Sequence, residues 1–137
     1  MITFNYETDF QISNEQILEN WIESIIVNHD CEVGEINYIF CDDSYLHKLN
    51  VEFLNHDTLT DIISFDNSLG KLINGDIYIS VERVEDNSKD FKVSFEEELH
   101  RVMIHGVLHY VGFKDKSEED QNEMTKQENI ALSLLKN

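Results

Sequence analysis

Residues 105 to 115 read His-Gly-Val-Leu-His-Tyr-Val-Gly-Phe-Lys-Asp, and no other stretch so narrows what this chain can fold into. Upstream, Leu99, Val102, Met103, Gly106 and Tyr110 recur at helical spacing, and Ser94 with Glu97 three residues on forms a capping box that opens the helix. Each helical residue turns about 100°, so His105 and His109 lie within about 40° of one another, one turn apart on a single face. Two imidazoles so placed can share a cation. Gly112 stands where a helix that must stop wants a left-handed residue, and Asp115, three residues later, can return to the same cation. A bare HxxxH pair is a weak signal, because exposed and core-satisfied histidines are common. The glycine and carboxylate at fixed offsets make His105, His109 and Asp115 a candidate metal site. His100 falls on nearly the opposite side of the helix and is not expected to join it.

The chain has 137 residues, 41% of them hydrophobic, enough for one domain with a modest core, expected over 1–137. Its wholly apolar runs, such as Ile25-Ile26-Val27, are only a few residues long, far short of the roughly 18 to 20 that span a bilayer, so no membrane partner is expected. The N-terminal residues alternate apolar and polar and lack a basic start, which predicts no secretory signal and a cytoplasmic protein. Ten Lys and Arg against 28 Asp and Glu give a formal charge of -18, which argues against broad electrostatic capture of nucleic acid. A polyanionic substrate needs a local exception, and a bound divalent cation is one. Cys31 and Cys41 flank a strand-like segment that would hold their sulfurs roughly 30 Å apart, too far for a disulfide.

Caps and alternation give the remaining elements. Ile2, Phe4 and Tyr6 form a first strand; Ser13 with Gln16 makes a capping box for a helix whose Ile17, Trp21, Ile25 and Ile26 share a face. A second strand covers about 33–41, and Asp42, Asp43 and Ser44 cap a helix carrying Tyr45, Leu46, Leu49 and Phe53. Ile62 to Phe65 follow as a strand, and Ile77, Ile79 and Val81 alternate as another that could pair with it. Ser117 caps an acidic first turn, and the last helix offers Met124, Ala131, Leu134 and Leu135 to the core. Two βα units, two further strands and two closing helices predict an α+β domain, a small mixed sheet with helices packed on it. Trp21 and Phe65 read as core, His29 and His47 as surface.

The 105–115 spacing is similar to the metzincin pattern HExxHxxGxxH with Asp in the last place, so the helix is zincin-like. Gly106 stands where a zinc peptidase carries its general-base Glu, which disfavours peptide hydrolysis. A small residue there also suggests close approach of another backbone or of substrate. In full, HGVLHYVGFKD resembles the HGxLHxxGYDH signature of the YbeY endoribonucleases. Leu49-Asn50 with Phe53, Asp57 and Thr60-Asp61-Ile62-Ile63-Ser64-Phe65 is similar to that family's LNxxYRxxDxxTDVLSF, and Gly75-Asp76-Ile77-Tyr78-Ile79-Ser80 matches its GDIxIS. The resemblance implies a mixed four-stranded sheet with about five helices. It also implies metal-dependent, single-strand-specific cleavage of ribosomal RNA precursors at the 16S 3′ end, in ribosome maturation and quality control.

Two departures bear on the site. The family arginine that meets RNA phosphate is Leu54 here, leaving His56, Arg83, Lys114 or Lys116 to supply positive charge. The last ligand is Asp115 rather than His, a harder and more anionic set for which zinc is the expected ion, with manganese and nickel also suited. The resemblance tilts Thr60, Asp61 and Ser64 toward the substrate cleft, although Thr60 and Asp61 also read as turn formers. Asp61 is a candidate general base beside metal-bound hydroxide, and Glu98, about two turns before His105, a candidate to orient an imidazole. Two other readings stay open: a non-enzymatic ribosome assembly factor with a structural metal, docking on ribosomal proteins, and a metal hydrolase of another substrate class.

Overall fold

The computed structural model describes residues 1–135. Two strand–helix units open the chain: β1 (Ile2–Tyr6) and α1 (Glu15–Asn28), then β2 (Glu32–Cys41) and α2 (Asp43–Leu54). β3 (Ile62–Asp66), β4 (Leu72–Ser80), α3 (Val81–Phe91), α4 (Phe95–Tyr110) and α5 (Glu118–Leu135) complete an α+β domain. The four strands lie in the order β1-β2-β4-β3. β1, β2 and β4 are parallel, with Phe4 opposite Tyr38 and Tyr38 opposite Ile77. β3 closes the edge antiparallel to β4, with Ser64 opposite Ile77, so the pairing expected for these two segments is present.

Alternation along the strands divides the interior in two. Ile36, Tyr38 and Phe40 of β2 with Ile73, Ile77 and Ile79 of β4 pack with α1, α4 and α5 in the main core. Cys41, Leu46 and Ile63 form a smaller cluster with Leu49, Phe65 and Tyr78 on the α2 side. Trp21 is buried and donates from Nε1 to the Ala131 carbonyl at 2.8 Å, tying α1 to α5. The Tyr38 hydroxyl donates to the Met103 carbonyl at 2.9 Å and fixes α4 across the sheet. Both cysteines are free. Among the described residues no helix is long and apolar enough to cross a membrane.

Several local expectations change. Val81 does not extend β4 but begins α3, an element without a counterpart in the apolar pattern; the Ser80 hydroxyl caps it by accepting from the Arg83 N–H. Along α1 the inward positions are Leu18, Trp21, Ile22, Ile25 and Ile26, while Ile17 faces solvent. The Ser13 box is not formed, because Asn14 occupies the N-cap and makes no side-chain cap bond. Ser94 and Ser117 do cap as expected, accepting from Glu97 N–H and Asp120 N–H at 3.0 Å each. On α5 Leu132 is buried and Leu134 is exposed. Phe65 is half-buried, with Phe53 edge-on at 6.1 Å.

Candidate metal centre

α4 is enclosed by its neighbours along Val102, Met103, Ile104, Gly106, Val107, Leu108 and Tyr110, whereas His105 and His109 remain half-exposed one turn apart. Gly106 faces the sheet: a Cβ there would stand 3.0 Å from Ile77 Cδ1 and 3.3 Å from Ile62 Cδ1. The small residue is therefore explained by helix-to-sheet packing rather than by approach of a substrate. Tyr110 donates its hydroxyl to the Phe65 carbonyl at 3.0 Å, with the Asp76 carbonyl at 3.1 Å, and anchors the end of α4 on β3 and β4. The helix stops in a Schellman arrangement, with Phe113 N–H on the Leu108 carbonyl, Gly112 N–H on the His109 carbonyl and Gly112 at φ +116°. The chain then doubles back, and Gln121 Nε2 holds the Asp115 carbonyl at 3.1 Å.

The two imidazoles are each pinned at Nδ1. His105 Nδ1 lies 2.7 Å from Glu128 Oε2, and His109 Nδ1 lies 3.0 Å from the Phe113 carbonyl oxygen. An ionised carboxylate and a carbonyl only accept, so each Nδ1 carries a proton and each Nε2 keeps its lone pair. Those Nε2 atoms face one another at 2.9 Å, with Asp115 Oδ2 at 3.2 Å from His109 Nε2 and 3.5 Å from His105 Nε2. Three acceptors turned toward one point need a cation or an extra proton between them. Ligands about 2.1 Å from one ion at tetrahedral angles would stand about 3.4 Å apart, close to the separations found. The three residues fit a divalent metal, and Asp115, being exposed, leaves one side open to solvent. Burial lowers the basicity of His105, but the carboxylates of Glu128, Asp115 and Asp61 outweigh it and hold its pKa above the ordinary value.

Beside His105 lies a cavity of about 180 Å³ lined by Asp61, Ile62, Glu98, Arg101, Val102 and Glu128. Asp61 accepts from Asn87 Nδ2 at 3.4 Å, and burial raises its pKa against the opposing pull of nearby N–H groups and His105. Glu98 is buried, and desolvation together with the charge of Asp61 pushes its pKa to about 7. The partner that orients His105 is thus Glu128 from α5, not Glu98. Glu128 was readable in principle, as a carboxylate at the helical spacing of the buried stripe Met124, Ala131 and Leu132; the Phe113 carbonyl leaves no side-chain signal.

The other expected site residues are more scattered. Lys114 and Lys116 are exposed on either side of Asp115, and His56 is exposed in the loop before β3. Arg83 is bound by Asp43 at 2.7 Å and Asp86 at 3.4 Å. Thr60 turns its hydroxyl to the Ile62 carbonyl at 3.3 Å, and Ser64 is exposed on β3 with its hydroxyl near Tyr110. His100 packs its ring against Trp21, away from the ligand group. His29 is half-buried against Phe113, with ring centres 5.2 Å apart, and His47 pairs with Asp57 at 2.7 Å.

The sequence model described as Endoribonuclease YbeY matches residues 2–136. Curated relatives with that same name include one from Flavobacterium johnsoniae, 61% identical over 98% of this chain and 97% of its own. Others come from Christiangramia forsetii, 53% identical over 98% of this chain and 94% of the relative, and from Porphyromonas gingivalis, 46% identical over 88% and 80%. The solution structure of TM1509 from Thermotoga maritima superposes with a TM-score of 0.69 at 26% identity, over 98% of this chain and 89% of that one.

Proposed function

The chain belongs to the YbeY family of endoribonucleases, RNA-cleaving hydrolases, and on that premise we propose that it cuts single-stranded segments of ribosomal RNA precursors with a divalent metal held by His105, His109 and Asp115. The expected setting is 16S 3′-end maturation and ribosome quality control in the cytoplasm, with the ribosome or its proteins as partners. The observation that carries the metal reading is the convergence of two imidazole lone pairs and one carboxylate, each ring already fixed at its other nitrogen.

A divalent ion in that position, zinc being the one best suited to two imidazoles and a carboxylate, supplies Lewis acidity toward the scissile phosphate and the attacking water. The chain's own groups supply the rest. Glu128 and the Phe113 carbonyl keep the rings in the tautomer that offers Nε2. Asp61 is the carboxylate beside His105 assigned to receive a proton, its affinity for one raised by burial. Lys114, Lys116 and His56 are exposed groups assigned to meet phosphates, and Thr60 and Ser64 are assigned as hydroxyl donors to the RNA. Arg83 is assigned a lesser part, since Asp43 already holds its guanidinium.

The test measures metal content and cleavage of a structured ribosomal RNA fragment on the same samples. Metal-loaded protein should cleave, and chelation or His109→Ala should abolish cleavage while the fold persists. A folded, metal-free His109→Ala protein that cleaves at the wild-type rate would overturn the reading. It would favour the assembly-factor alternative, to which Leu54 and the charge of -18 lend support.

A further inference from the structure

We propose that the cavity beside the histidine–aspartate group is a second cation site, in which Asp61 and Glu98 hold a partly hydrated hard divalent ion of the Mg²⁺ class. Glu98 is only 4% exposed, and its carboxylate faces this cavity. Among the described residues no donor makes a hydrogen bond to it. A carboxylate so enclosed needs a positive partner or a proton. Arg101 lines the same space and its charge partly offsets that of Glu98, but its Nη1 is on Glu128 Oε1 at 2.9 Å and its Nη2 on Asn129 Oδ1 at 2.8 Å, so it is shared with Glu128 and donates no bond to Glu98. Asp61 accepts from Asn87 Nδ2 at 3.4 Å on Oδ2 and from the backbone N–H groups of Asp61 and Ile62, all neutral donors that leave its charge without a cation of its own. The cavity therefore carries more negative than positive charge.

The donor set selects the ion. Where the first group offers two imidazoles, this one offers carboxylate oxygens alone, which suits Mg²⁺ or Mn²⁺ rather than zinc. Mg²⁺ keeps several of its waters and needs only one or two carboxylates, so a third protein ligand is not required. A volume of about 180 Å³ has room for several waters, and so for such a partly hydrated ion. The crowding of the two carboxyls, which contributes to raising Glu98 to about 7, is what a cation would relieve. Its use also follows: in a chain of charge -18, an ion here turns the acidic wall beside His105 into one that a phosphate can approach. That use rests on the ribonuclease reading, whereas binding of the ion does not. The proposal also changes the part of Asp61 from free proton acceptor to anchor of a cation.

The test is a titration of zinc-loaded protein with Mn²⁺, following loss of the free-ion electron paramagnetic resonance signal. Mn²⁺ lies at the weak end of the divalent series and does not displace zinc from its nitrogen ligands. Wild type should take up one Mn²⁺, released by excess Mg²⁺. Glu98→Gln, which keeps the side-chain shape, and Asp61→Asn should each weaken that binding roughly tenfold or more with zinc content unchanged. Lys71→Ala, at an exposed position in the turn before β4, should bind as wild type. No uptake by zinc-loaded wild type, or undiminished uptake by a folded Glu98→Gln, would overturn the proposal and leave Glu98 answered by a proton instead. Neither result depends on RNA cleavage, so failure of the nuclease reading is scored separately.

Discussion

Glu128 and the Phe113 carbonyl do the same work from different sources, one a side chain on α5 and the other backbone just past α4. Each accepts from an Nδ1 and so points an Nε2 lone pair at the shared centre. Glu128→Gln should therefore weaken metal binding by about 10- to 100-fold with the three ligands intact, measured by competition with a chromophoric chelator. An unchanged affinity would show that the ring of His105 is oriented by packing alone. The two histidines were legible because helical periodicity is a property of the sequence itself, and Asp115 because the glycine fixes where the chain turns. Glu128 was legible only as a carboxylate on an apolar stripe, and its role was not, since the ring it orients is 23 residues away. Glu98 shows the converse error. Its spacing from His105 suggested a shared face, but the side chain is drawn into the cavity with Asp61 instead of toward the ring.

At the level of elements, α4 carries the site because its C-terminal end is both anchored and turned. Tyr110 holds it to β3 and β4, and Gly112 at φ +116° lets the next three residues bring Asp115 back. A Cβ at Gly112 meets nothing within 4 Å, so Gly112→Ala acts through backbone strain alone, on the order of 1–3 kcal/mol. The expected outcome is a lower melting temperature together with weaker metal binding, since the turn also presents the Phe113 carbonyl to His109. A drop in stability with metal affinity unchanged would dissociate the turn from the site. α3 was the element that sequence patterning missed, for a physical reason. Ile77, Ile79 and Val81 alternate like a strand, Ser80 ends β4 and caps the helix at once, and only Val84 and Ser88 of α3 are buried. A mostly solvated helix offers no apolar stripe to read, and the resemblance rather than the periodicity supplied a fifth helix. The same weakness misplaced Ile17, whose outward position follows from which of several adjacent apolar residues the sheet selects.

For the molecule as a whole, the surplus of carboxylates sets how it meets RNA and how it responds to pH. With ten Lys and Arg in the chain, few phosphates can be neutralised, so the dependence of log affinity on log salt for single-stranded RNA should be shallow. Lys116→Ala should reduce that slope by about 0.7 if the lysine meets one phosphate, and leave it unchanged if it does not. Stability should follow Glu98, whose pKa rises from 4.5 to about 7 on folding, chiefly through burial. Between those values the folded chain holds a proton that the unfolded chain has lost, so this group favours the folded state at low pH and loses that contribution as pH rises through about 7. Above that point a buried carboxylate ionises beside Asp61. Glu98→Gln removes the ionisation while keeping the shape. In chelator, to exclude metal binding, its melting temperature should exceed that of wild type at pH 8 by on the order of a few degrees, the gap narrowing toward pH 5. A gap that is constant across this range would mean that glutamine changes packing rather than charge, and that Glu98 is not the group that titrates.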